Sequence, residues 1–163
     1  MARALLVGCG CRGRELGRRL RDDSWEVRGT TRDPGRIAEI ERAGIEAVLA
    51  DPDRVGTVLD HVGDVSLVAW LLGSATGDAD ALAAIHGPRL ERLLEEVVDT
   101  PVRGFLYEGA GSVDAALLRE GSRITARAAD RWRIPVAIVD HDPTDSSGWV
   151  DAARTEIHAL LGA

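Results

Sequence analysis

Lysine, asparagine and glutamine are absent from this 163-residue chain, and every one of its 20 Lys+Arg cations is arginine. Without lysine there is no Schiff-base amine, no P-loop lysine and no Tyr-x-x-x-Lys dyad. Tyrosine occurs once, at Tyr107. The two cysteines, Cys9 and Cys11, stand one residue apart, too close for a mutual disulfide, and nothing resembles a disulfide scaffold. No apolar run reaches membrane-spanning length, and the N-terminus lacks a secretory pattern. No membrane partner is expected, and the expected location is cytoplasmic. A net charge of −7 argues against nucleic acid as a general partner.

What is present suits one globular domain over residues 1–163, with 45% hydrophobic residues. The charge is uneven. Residues 1–42 hold ten Arg against seven acids, and the remainder ten Arg against twenty. The basic portion includes "GCGCRG", where Gly8, Gly10 and Gly13 follow the spacing G-x-G-x-x-G.

Apolar runs alternate with amphipathic segments from end to end. Strands are expected at Ala4–Gly8, Trp25–Thr30, Ile45–Ala50, Val65–Gly73, Val102–Tyr107 and Pro135–Asp140. Between them, Leu16 and Leu20 mark a helix over Gly13–Arg21, and Asp33-Pro34 an N-cap with proline at the first helical position. Another helix is expected through Val55, Val58, Leu59 and Val62, and a long one over Asp78–Asp99, bent or broken at Gly87-Pro88. Ser112 can cap a helix that reaches Trp132, with a possible interruption at Gly121, and Ser146 or Ser147 a last one that reaches Leu161. This alternation predicts an α/β class with a single doubly wound parallel sheet, Rossmann-like, of about six strands in the order 3-2-1-4-5-6.

The glycine spacing follows a strand and opens a helix, the context that ties it to dinucleotide phosphates. Gly8 allows the tight turn, Gly10 lets backbone approach a pyrophosphate, and Gly13 lets the helix pack on the sheet. The helix N-terminus adds unpaired N–H groups. The plainer alternative is a tight turn with no ligand. At the tail of strand two, where an NAD site carries Asp or Glu, this chain has Thr30, Thr31 and Arg32. Arg32, together with Arg12 from the glycine loop, suits a 2′-phosphate, so NADP is favoured over NAD. Both arginines could instead be solvated surface.

"GCGCRGRELGRRL", "VRGTTRDP", "AGIEAVLADP" and "VSLVAWLLG" together resemble the extended or atypical short-chain dehydrogenase/reductase superfamily, NmrA-like and epimerase-like members included. The resemblance spans nearly the whole chain and is strongest up to Gly73. It implies that Asp51, with Pro52 beside it, meets the adenine, and that the strand-four end, through Leu71, Leu72 and Gly73, lies against the cofactor. Asp51 could also be a helix cap only. The catalytic Tyr and Lys of that superfamily would fall near Leu117 and Gly121, where neither residue stands, and its C-terminal substrate region has no counterpart.

The remaining candidates for chemistry are weak. Tyr107 and Glu108 end strand five, and either could act as acid or base, although Tyr107 could equally be core. His141, in "HDPTD", is a candidate proton donor. Cys11 counts among the residues expected at the cofactor, and Cys9-x-Cys11 could hold a dipole-stabilised thiolate. His61, His86, His141 and His158 lack metal-ligand spacing, so no metal site is expected. The four tryptophans look structural. The favoured function is a cofactor-binding or sensing module, alone, as a homodimer or with a protein partner. The alternative is an oxidoreductase or epimerase with nonstandard catalytic groups.

Overall fold

The computed structural model describes residues 2–162. Six strands, β1 (Arg3–Val7), β2 (Glu26–Thr31), β3 (Glu46–Leu49), β4 (Leu67–Trp70), β5 (Gly104–Glu108) and β6 (Val136–Val139), form one sheet in the order β3-β2-β1-β4-β5-β6. Every pairing is parallel, as the alternating pattern predicts. All four residues of β4 are buried, as are Ala4–Val7 of β1. Central strands of a parallel sheet are covered on both faces, so they take continuous apolar runs.

Side chains alternate across the sheet and build two cores. On one face, Leu6 and Leu106 pack with Leu16 and Leu20 of α1 (Cys11–Asp22) and with Trp149, Ala153 and Ile157 of α7 (Ser146–Leu160). On the other, Leu5, Phe105 and Tyr107 pack with Val58 of α3 (Val55–Leu59), Leu90 and Leu93 of α5 (Pro88–Glu96) and Ile124 of α6 (Ala115–Trp132). Two shorter helices complete the set: α2 (Ile37–Arg42), entered through a 3-10 turn at Pro34–Arg36, and α4 (Ala79–Ile85). The chain runs outward from β1 to β3, crosses back, and runs outward again from β4 to β6. The order therefore reverses between β1 and β4, where such sheets open a crevice at their carboxyl edge.

The break expected at Gly87-Pro88 is present: the segment 78–99 holds two helices, because Pro88 lacks the N–H that would continue α4 and instead starts α5 after Gly87. Three local expectations change. α6 is capped by Asp114, which accepts from the Ala116 N–H, and not by Ser112; it runs through Gly121 without a break. α7 is capped by Asp145, not Ser146 or Ser147. A carboxylate next to the helix start gives the first-turn N–H groups a charged acceptor, a stronger one than a serine hydroxyl. Finally, α1 begins at Cys11, ahead of Gly13. The Asp33 cap stands, accepting from Gly35 N–H at 2.8 Å.

Candidate functional site

The glycine loop joins β1 to α1 at the reversal point. Gly8 has φ +87°, and a Cβ there would sit 2.6 Å from the Leu71 carbonyl oxygen. Only glycine fits, because both the backbone conformation and the space forbid a side chain. At Gly13 a Cβ would lie 3.3 Å from the Gly8 carbonyl oxygen, tighter than a relaxed contact. Gly10 differs from both. Its φ is −82°, an ordinary value, and a Cβ there would meet nothing within 4 Å. Gly10 is also the N-cap of α1 and makes no side-chain cap bond, so the first-turn N–H groups of α1 have neither an intrahelical nor a capping partner. The fold thus requires glycine at Gly8 and is tight at Gly13, while the bare backbone at Gly10 faces open space.

That space is a cleft of about 460 Å³. Gly8, Gly10, Cys11, Arg12 and Gly13 line it from the loop, and Thr30, Thr31 and Arg32 from the β2 tail. Asp51 and Pro52 line it after β3, and Leu71 and Leu72 after β4. Gly73 does not line it. Thr30 is buried and braces the loop: its Oγ1 accepts from Gly8 N–H at 3.3 Å and its carbonyl from Cys9 N–H at 3.1 Å. Thr31 turns its hydroxyl to the backbone of Asp33. Asp51 does not cap α3, whose N-cap is Arg54; its carboxylate accepts from Asp53 N–H at 2.9 Å. Arg32 is exposed at the cleft rim.

Arg12 does not lie beside Arg32. It turns to the opposite end of the cleft, where Nη2 donates to Glu108 Oε2 at 3.1 Å and reaches Ser74 Oγ at 3.4 Å, with the guanidinium 5.3 Å from the Trp149 ring centre. The reason is electrostatic. Glu108 is 1% exposed, and a buried carboxylate requires a cation. Its other oxygen accepts from Gly73 N–H at 2.7 Å. Burial still holds the Glu108 carboxyl above the usual carboxylate range, against the opposing pull of Arg12.

Tyr107 is fully buried on the helix-covered face and does not line the cleft. Its hydroxyl lies 2.6 Å from His86 Nδ1, and His86 Nε2 lies 2.9 Å from the Leu72 carbonyl oxygen. A carbonyl only accepts, so Nε2 carries the imidazole proton and Tyr107 donates to Nδ1. Burial lowers the His86 pKa and raises that of Tyr107, keeping both neutral. His141 also lies outside the cleft lining; its Nε2 is 2.8 Å from Asp145. Cys9 is buried, and its thiol is pushed up to about 12, so no thiolate forms there. Among the described residues no cluster has metal-ligand geometry, and no helix is long and apolar enough to cross a membrane.

The fold is of the Rossmann type found in short-chain dehydrogenase/reductase and epimerase structures. A Bacillus halodurans protein described as an NAD-dependent epimerase/dehydratase superposes with a TM-score of 0.70 at 18% identity, over 86% of this chain and 70% of the other. The UDP-glucuronic acid 4-epimerase of Bacillus cereus, solved in complex with NAD, gives 0.63 at 15% identity, over 85% of this chain and 55% of the other. A short-chain dehydrogenase/reductase superfamily protein from Agrobacterium tumefaciens with bound NAD gives 0.68 at 19%, over 85% and 48%. The chain thus spans about half the length of the last two. No family model and no curated protein matches it in sequence.

Within this Rossmann frame, sequence reasoning missed several cleft residues. Arg36, exposed in the 3-10 turn after β2, joins Arg32 along the rim. Ser74, Ala75 and Thr76 follow β4, and Leu82 and Ile85 come from α4. Trp149 arrives from α7, which folds back across α1, and its indole lies close enough to Glu108 to favour the ionised carboxylate. Only the spacing of Leu82 and Ile85 gave a local signal, a helical stripe of ambiguous use. Arg36 stood in the sequence one turn past the Asp33-Pro34 cap, but nothing in its position marked it as facing the cleft.

Proposed function

We propose that the chain is a nicotinamide-dinucleotide-binding Rossmann protein of the atypical short-chain dehydrogenase/reductase type. In this reading it favours NADP(H) over NAD(H) and holds or senses the cofactor without the usual reductase chemistry. The observation that carries the reading is Gly10: its missing side chain leaves open space directly ahead of an uncapped helix N-terminus, although its own backbone would accept a side chain. A pyrophosphate placed there meets first-turn N–H groups and the positive end of α1. Arg32 and Arg36 then face the 2′-phosphate of the adenosine ribose, and Asp51 the adenine. The whole of residues 1–163 acts as one such unit in the cytoplasm, by itself, as a homodimer or with a protein partner. The neighbours solved with NAD support a nicotinamide cofactor of this kind.

A second reading, an oxidoreductase or epimerase with nonstandard groups, draws support from one residue. Glu108 is a buried carboxyl at the cleft with an upward-shifted pKa, a feature common to catalytic acids. Tyr107 and His141 lend it nothing, since neither lines the cleft.

Calorimetry with NADP+, NADPH, NAD+ and NADH tests the first reading. The phosphorylated pair is expected to bind more tightly. A charge-assisted contact to phosphate contributes about 1.5–3 kcal/mol, so Arg32→Ala weakens NADP by about tenfold or more and leaves NAD unchanged. Equal loss for both cofactors removes the 2′-phosphate role, and no binding of any of the four removes the reading.

A further inference from the structure

A doubly wound sheet consists of two mononucleotide-binding halves, β1–β3 and β4–β6, and a dinucleotide lies across both. In this chain the two halves are unequally furnished. The first supplies the open backbone at Gly10, the rim arginines Arg32 and Arg36, and Asp51. From the second, the β4 tail and α4 line it with small and apolar residues such as Leu71, Leu72, Ala75, Leu82 and Ile85, and α7 adds Trp149; β5 supplies only Glu108, and no described residue of α6 or of the loop after β6 lines the cleft.

The second half is also closed by its own loops. The tails of β4 and β5 are fastened to each other by a series of hydrogen bonds. Gly73 N–H donates to Glu108 Oε1 at 2.7 Å, Val113 N–H to the Gly73 carbonyl at 3.0 Å, and Ser112 N–H to Ser74 Oγ at 3.2 Å. The backbones approach so closely that a Cβ on Gly73 would overlap the Ala110 carbonyl, and one on Gly111 would overlap Gly73. Gly111 has φ +154°, which a side chain would also oppose. On the cleft side of this seam, the Arg12–Glu108 pair and Trp149 fill the space towards α1. Parting the two tails would remove the Gly73 N–H from a buried carboxylate, a change that the low-dielectric interior opposes.

We propose that the cleft reads only the adenosine-diphosphate half of its ligand and leaves the nicotinamide riboside unheld beyond the β4–β5 seam. This rests on the cofactor reading above and narrows it. The ligand class is any adenosine 5′-diphosphate carrying a ribose, with a 2′-phosphate preferred, and the oxidation state of a nicotinamide ring does not alter binding. A module of this kind responds to the total amount of cofactor, not to its redox ratio.

Calorimetry of the full chain with NADP+, NADPH and 2′-phospho-ADP-ribose decides the matter, with NAD+ and ADP-ribose as the unphosphorylated pair. The expected result is that the three phosphorylated ligands bind within about threefold of one another, as NAD+ and ADP-ribose do. NADPH titrated with the protein keeps the emission wavelength of free NADPH, since its ring enters no apolar pocket. A dinucleotide that binds about tenfold or more tightly than its ADP-ribose counterpart, or a similar gap between NADP+ and NADPH, overturns the proposal while leaving the cofactor reading intact. Failure of all five ligands to bind defeats both. Gly10→Val serves as the control for binding in the cleft and is expected to abolish every signal.

Discussion

Gly8 and Gly10 are the same residue two positions apart, and the fold treats them differently. At Gly8 the requirement is internal, set by φ +87° and the Leu71 carbonyl. Gly8→Ala is expected to lower the unfolding free energy by about 1–3 kcal/mol from backbone strain, with steric overlap adding to it. At Gly10 the fold sets no such requirement, and in the proposed reading the bare backbone serves the ligand. Gly10→Val is expected to stay within about 1 kcal/mol of the parent in urea unfolding, the size of an N-cap change, and to lose dinucleotide affinity by at least about tenfold. If Gly10→Val unfolds the protein, or binds as the parent does, the division between the two glycines is wrong. The spacing G-x-G-x-x-G made this loop legible in the sequence, because a strand, a turn and a helix start are local features. Arg12 was legible as a cation of the glycine loop but not as the partner of Glu108, which stands 96 positions away and is brought near only by the pairing of β1 with β4 and β4 with β5. Nor could a buried Trp149 at the cleft be read from α7 alone.

At the scale of elements, the strands and their order were legible because buried parallel strands and amphipathic helices leave opposite patterns, and only one way of winding them is common. Boundaries were harder. Asp114 and Asp145 displace the serines as caps, a competition between neighbouring side chains that composition alone does not resolve. Gly121 is the instructive case. It looks like a break in α6, yet the helix continues, because the glycine lets α6 settle onto the Tyr107 hydroxyl; a Cβ there would overlap the ring. Gly121→Ala gains helix propensity of about 1 kcal/mol and loses more to overpacking, a net destabilisation of about 1–2 kcal/mol. Tyr107→Phe removes the hydroxyl and leaves His86 Nδ1 without a donor, at about 1–3 kcal/mol. The two sites touch, so the double variant is expected to be less destabilised than the two single changes added together. Strict additivity in denaturant unfolding would mean that α6 does not rest on this hydroxyl.

For the molecule as a whole, the question is whether a bound nicotinamide would have anything to react with. The usual dyad works because a lysine lowers the tyrosine pKa, so that the phenol exchanges a proton with the substrate oxygen as hydride moves. Lysine is absent, and arginine cannot stand in as a relay because it stays protonated. The one tyrosine lies in the core beneath α6, bonded to a neutral histidine, with its pKa shifted further up. Of the acids expected from the sequence, only Glu108 lines the cleft, and its oxygens are held by Arg12 and by the Gly73 backbone. Among the described residues, none of the three proton donors expected from the sequence is therefore free at the cleft to serve a carbonyl or hydroxyl. Purified protein with NADPH or NADP+ is expected to show no turnover above background with simple alcohols or aldehydes, followed by nicotinamide absorbance, or with sugar nucleotides, followed by separation of the epimers. Steady turnover that survives Tyr107→Phe and disappears in Glu108→Gln would reverse this conclusion. It would make Glu108 the acid, require the β4–β5 seam to open when substrate binds, and replace the proposed binding module with the oxidoreductase or epimerase reading.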